Sequence, residues 1–129
     1  MTVPVTGINE IVLEVLDLEK AVAFYGDALG LPLYSRSDDR AWFVAGRSRI
    51  GLWRPQIGLA QGRGGVHVHY AFNVLEDDFG SIVDRLRALD PEVISFEDEG
   101  RGRAVYVTDP DGNVVEFWTW DVARDAVVA

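Results

Sequence analysis

The chain carries one pattern twice, and that doubling restricts its folds more than any other feature. From Ile8 to Val15 apolar and polar residues alternate with the period of two expected of a half-buried strand, and the alternation returns from Val66 to Val74. Each stretch is followed by an apolar stripe at helical spacing. The first is Leu18, Val22, Tyr25 and Leu29, flanked by Ala21 and Ala28; the second is Phe79, Ile82, Val83, Leu86 and Leu89. Both helices open on acidic residues, Asp17 with Glu19 and then Glu76, Asp77 and Asp78, where negative charge suits a helix N-terminus. Gly30 with Pro32 ends the first, and Asp90-Pro91 the second. Three short strands follow each helix, at about 31–35, 41–45 and 49–53, and then at 92–96 and in the two arms of 104–120. Glu10 and His69 are 59 positions apart, and the expected caps Asp17 and Asp77 are 60 apart. A repeat at this period implies one supersecondary unit used twice. The expected fold class is therefore α+β, with two βαβββ modules in tandem (about 7–54 and 66–120) forming a cupped mixed sheet. A glycine-rich linker at 55–65 joins them, and 121–129 is a tail.

The final hairpin holds the chemical anomaly. Asp109-Pro110-Asp111-Gly112 is turn chemistry, and in the strand after it Val115, Phe117 and Thr119 share one face while Val114, Glu116, Trp118 and Trp120 share the other. A carboxylate between a valine and a tryptophan is costly to bury unless something pairs with it. The repeat supplies candidates. If the helices cover the outer faces, the opposite faces of the first and last strands carry Glu10, His69 and Glu116, while Gly51 leaves the fourth equivalent place empty. One imidazole and two carboxylates suit a divalent ion with open positions, and the two carboxylates favour Mn, Fe(II) or Mg, with Zn less distinctive. His67 lies on the His69 face, as a further ligand, a supporting group or a plain surface histidine. Trp42, Trp53, Trp118 and Trp120 either line the cup or belong to core and interface.

Composition narrows the classes. The 129 residues suit one compact domain, and a 48% hydrophobic share suffices for a core. With no cysteine, there is neither a disulfide nor a thiolate ligand, so any metal is held by nitrogen and oxygen. The net charge of −9 argues against a nucleic-acid partner. No apolar run is long enough to span a bilayer and no secretory pattern opens the chain, so a cytoplasmic protein is expected, without membrane association.

At these residues the sequence resembles the vicinal oxygen chelate superfamily, which includes glyoxalase I, extradiol dioxygenases, methylmalonyl-CoA epimerase, fosfomycin-resistance thiol transferases and bleomycin-binding proteins. The carriers are the opening strand with Asp17-Leu18-Glu19 and Ala23-Phe24-Tyr25, then Leu29-Gly30-Leu31, His69-Tyr70-Ala71-Phe72, and Asp109 to Asn113 followed by Glu116. The resemblance implies paired βαβββ modules and a homodimer in which Glu10 of one chain meets His69 and Glu116 of the other. The second half is most similar to the fosfomycin-resistance branch, whose phosphonate-contacting tyrosine corresponds to Tyr106. The first half departs from that branch: Glu10 stands where a histidine ligand is normal, Val12 where a threonine serves the epoxide, and Phe96 to Arg101 lacks the lysine and serine of the substrate loop. Fosfomycin itself is therefore not the expected substrate.

Two functions follow. The first is a divalent-metal-dependent lyase, isomerase or dioxygenase-type enzyme acting on a small oxygen-chelating substrate. Glu10, His69 and Glu116 are its metal ligands, Glu10 and Glu116 its catalytic carboxylates, and His67, Tyr106 and Trp118 its substrate pocket. The alternative is a metal-free binder of small molecules or drugs, as in bleomycin resistance, which the −9 charge and the aromatic residues also suit.

Overall fold

The computed structural model describes residues 4, 6–54, 68–97 and 99–121. The expected linker at 55–65, the tail beyond 121 and His67 lie outside the described residues. The chain divides into two compact units, Met1–Val66 and His67–Ala129.

The first unit holds β1 (Glu10–Glu14), α1 (Leu18–Val22), β2 (Leu33–Arg36), β3 (Arg40–Ala45) and β4 (Ser48–Trp53). Its sheet runs in the order β1-β4-β3-β2, with β1 parallel to β4 and the other pairs antiparallel. The helix between β1 and β2 supplies the crossover that parallel pairing needs, and short turns suffice for the rest. Leu13, Phe43, Ile50 and Leu52 are buried on the sheet face under Leu18, Ala21 and Tyr25 of the helical segment. Asp17 caps the helix as expected, its carboxylate accepting the Lys20 N–H at 3.1 Å. The helix stops at Gly30 (φ 79°), but its second half has a different pitch from the one expected. After Val22 the chain widens into a π-helical segment, Ala23–Ala28, closed by the Leu29 N–H on the Phe24 carbonyl at 2.8 Å. The wider turns seat Tyr25 fully buried beside Phe43.

The second unit repeats the connectivity with β5 (His69–Asn73), α2 (Glu76–Leu89), β6 (Ser95–Glu97), β7 (Arg103–Thr108) and β8 (Val114–Trp118), in the order β5-β8-β7-β6. Phe79, Val83 and Leu86 of α2 are buried as their spacing predicts, and α2 lies against β7. Two details differ from expectation. The N-cap of α2 is Leu75, with no side-chain cap, so Asp77 sits inside an acidic first turn instead of capping it. The strand expected at 92–96 starts only at Ser95, because Asp90 folds the chain back. Its carbonyl accepts the Val93 N–H and its carboxylate the Glu92 N–H, which holds those residues in a turn.

The turn before β8 is a buried polar knot. The Asp109 carboxylate accepts the N–H groups of Asp111 and Asn113 and the Asn113 side-chain N–H, at 2.8–2.9 Å. The Asn113 side-chain oxygen accepts the Val68 N–H at 2.9 Å, which fastens the start of β5 to the start of β8. Replacing Asn113 by alanine leaves buried donors and acceptors without partners, and we expect it to lower the unfolding free energy by about 2–3 kcal/mol in urea titration. Gly102 makes a second test. Its φ is 77°, and a Cβ built there would lie 2.3 Å from the Thr119 hydroxyl oxygen that accepts the Arg103 N–H. Gly102→Ala is expected to cost about 2–4 kcal/mol, combining strain with overpacking. Gly46→Ala, at φ 60° in open space, should cost only about 1 kcal/mol from strain alone. Equal losses at the two glycines would refute the contribution of the Thr119 contact.

Candidate functional site

In the second unit, β5 and β8 pair in parallel with His69 opposite Val114 and Ala71 opposite Glu116. On one face of such a ladder His69 and Glu116 are diagonal neighbours, and the structure brings their side chains together, with Nε2 and Oε1 3.0 Å apart. The Glu116 side chain is 6% exposed and that of His69 51%, so the carboxylate forms a floor and the imidazole an open rim. Tyr106 lies opposite Glu116 on β7, and its ring meets the His69 ring edge-on at 5.4 Å. Phe96 stacks with Tyr106 at 5.5 Å. Trp118 shares the face by strand alternation, but its indole N–H donates to the Arg101 carbonyl at 2.7 Å and its ring leans on Trp120 at 5.0 Å.

The first unit shows the same register with different chemistry. Glu10 pairs with Arg49, Val12 with Gly51, and Trp42 lies opposite Gly51 as Tyr106 lies opposite Glu116. The space that a side chain at Gly51 would take belongs to Trp42, since a Cβ built there would be 2.7 Å from the indole ring. Arg49 lies over that indole at 3.7 Å. It donates to Glu10 Oε1 through Nε at 2.9 Å and through one terminal nitrogen at 2.6 Å, and through the other to the Tyr34 hydroxyl at 2.5 Å. The bond to Tyr34, with those to Glu10, pushes the guanidinium pKa above its ordinary value, so it stays charged at any working pH.

Of the residues singled out by sequence, His69, Glu116 and Tyr106 are brought together. Glu10 sits in the first unit, in the hand of Arg49. Among the described residues no three His, Cys, Asp or Glu side chains form a group able to hold a metal. The His69–Glu116 pair nonetheless fits half of a divalent site. Two donors at right angles, each about 2.1 Å from a common ion, are about 3 Å apart, and Nε2 and Oε1 already stand at 3.0 Å. Sequence reasoning missed Arg49 and Tyr34. Arg49 stands two positions before Gly51 and so shares its face, a signal that was available; its union with Glu10 depends on the parallel β1–β4 register, which no local pattern carries.

Known proteins share this architecture. The chain is 32% identical to the metallothiol transferase FosB of Lysinibacillus sphaericus over 125 residues, covering 89% of this chain and 83% of that protein. It is 30% identical over 118 residues to the glutathione transferase FosA of Serratia marcescens, covering 91% and 83%. Among solved structures, the lactoylglutathione lyase of Agrobacterium tumefaciens superposes with a TM-score of 0.74 at 27% identity, over 89% of this chain and 94% of that one. The profile of the glyoxalase superfamily matches residues 7–117. With two units of one topology and a match over most of its length, this chain belongs to the Glyoxalase/Bleomycin resistance protein/Dioxygenase superfamily.

Proposed function

We propose that the protein is a divalent-metal-dependent enzyme acting on a small, oxygen-bearing substrate, with the ion held by His69 and Glu116 and completed by Glu10 of the partner subunit in a homodimer. The observation that carries this reading is the His69–Glu116 pair, an imidazole nitrogen 3.0 Å from the oxygen of a buried carboxylate. A buried carboxylate needs a partner of opposite charge or a proton, and a cation answers that need. Metal relatives of nitrogen-and-oxygen type (Mn, Fe(II), Mg or Zn) suit the donor set. Two relatives are a metallothiol transferase and a glutathione transferase, which supports a group-transfer reaction over oxidation.

Such an ion would polarise neighbouring substrate oxygens and stabilise negative charge developing on them. The chain's own residues do the rest. Tyr106, whose ring meets that of His69 edge-on and stacks with Phe96, supports the imidazole. Both Arg49 bonds to Glu10 fall on Oε1, so Oε2 is the oxygen left to serve as ligand or to take a proton from substrate.

A second reading, a metal-free small-molecule binder, is favoured by one observation: the indole of Trp42 fills the place beside Gly51 and Arg49 engages Glu10. Metal analysis decides between them. Full-length untagged protein, purified without chelator, is expected to carry about one divalent ion per chain, as one three-ligand site per chain requires. His69→Ala and Glu116→Ala should each lose it while keeping the wild-type circular dichroism. Wild type that stays metal-free after dialysis against Mn and Zn would leave the binder as the function. Sedimentation of the same samples should give twice the mass of one chain; a monomer carrying full metal would refute the partner-derived Glu10.

A further inference from the structure

The first unit holds a cation that the proposed chemistry does not use as such. Arg49 is fixed from three sides: Glu10 takes two of its N–H groups, the Tyr34 hydroxyl a third, and the Trp42 ring supports its plane from 3.7 Å. A guanidinium has five N–H groups. Two therefore remain, one on each terminal nitrogen. The side chain is 38% exposed, so the group is anchored yet open to solvent. A planar cation with a donor left on each of two adjacent nitrogens matches a carboxylate, phosphate or phosphonate. Most of the cost of ordering that long side chain is met within the fold, which favours ligand binding. The same face holds a second cation, Arg40, which stacks over Trp53 at 4.4 Å and pairs with Asp39 at 3.5 Å.

We infer that Arg49, braced by Glu10, Tyr34 and Trp42, is a binding site for the oxyanion group of a small organic ligand. The site belongs to the first unit alone and stands without a metal at His69 and Glu116. Glu10 does double duty here, since its Oε1 orients Arg49 while its Oε2 is left for other work. An otherwise acidic protein, at net charge −9, thereby offers an anion one fixed point of attachment.

The test uses the full chain after chelator treatment, so that metal plays no part. Methylphosphonate, acetate and inorganic phosphate are titrated at constant ionic strength, with the NMR signals of the Arg49 Nε–H and the Trp42 indole N–H as readout. Saturable shifts of both signals are expected with at least one of the three, and the tightest of them names the oxyanion class. Arg49→Gln should weaken that binding about tenfold or more, the worth of one hydrogen bond to a charged group. Arg49→Lys, which keeps the charge and loses the fork, should also weaken it; if Arg49→Gln does not fold, this variant decides alone. Arg87→Gln, on α2 of the second unit and outside either proposed site, should bind as wild type does. Shifts that chloride reproduces, or binding that survives in Arg49→Lys and Arg49→Gln, would overturn the inference. A negative result here leaves the metal analysis untouched, because the metal content of wild type, His69→Ala and Glu116→Ala is read without any added anion.

Discussion

The parallel pairing of β5 with β8 is the constraint on which the second unit depends. Side chains on strands alternate faces, so a slip of one residue would send Glu116 to the helix side and Val115 to the open side. The Asp109–Asn113 turn guards against that slip. Its buried carboxylate gathers three N–H groups, and Asn113 passes one further bond across to Val68, the residue just before His69. The register is therefore fixed within one residue of the imidazole and three residues of the carboxylate. A parallel ladder has no hairpin of its own to set its alignment, so a side-chain bond between strand starts does that work.

The two units put one scaffold to different chemical use. Their strand orders and registers correspond place by place, yet the open faces differ at each decisive position. Where the second unit has His69, Val114, Glu116 and Tyr106, the first has Glu10, Arg49, Gly51 and Trp42. Gly51 and Trp42 are one substitution in physical terms. Removing a side chain at the floor makes room for an indole, and the indole in turn becomes the platform on which a guanidinium rests. The second unit pairs an imidazole on its first strand with an acid at the place Gly51 leaves empty in the first, which suits a cation. The first pairs an acid with a guanidinium, which suits an anion.

The sequence by itself determined the architecture. Two periods of two, two helical stripes and two sets of breakers, about 60 residues apart, specify tandem βαβββ modules because each signal is local. It also determined which faces Glu10, His69, Glu116 and Gly51 occupy, since strand alternation is a property of the chain alone. Local preference gave way where neighbours in space override it. Tyr25 and Phe43 accompany a widened helix, Asp90 captures two N–H groups that would have joined a strand, and Leu75 takes the cap position in place of an acid. Tertiary structure alone decided the partners. That Glu116 meets His69 while Glu10 meets Arg49 follows from register between strands 39 to 47 residues apart, and register is fixed by packing and by one asparagine's bond to a distant backbone. Spacing along a chain states what a side chain can face; only the folded sheet, by setting which strand lies beside which and at what offset, settles what it touches.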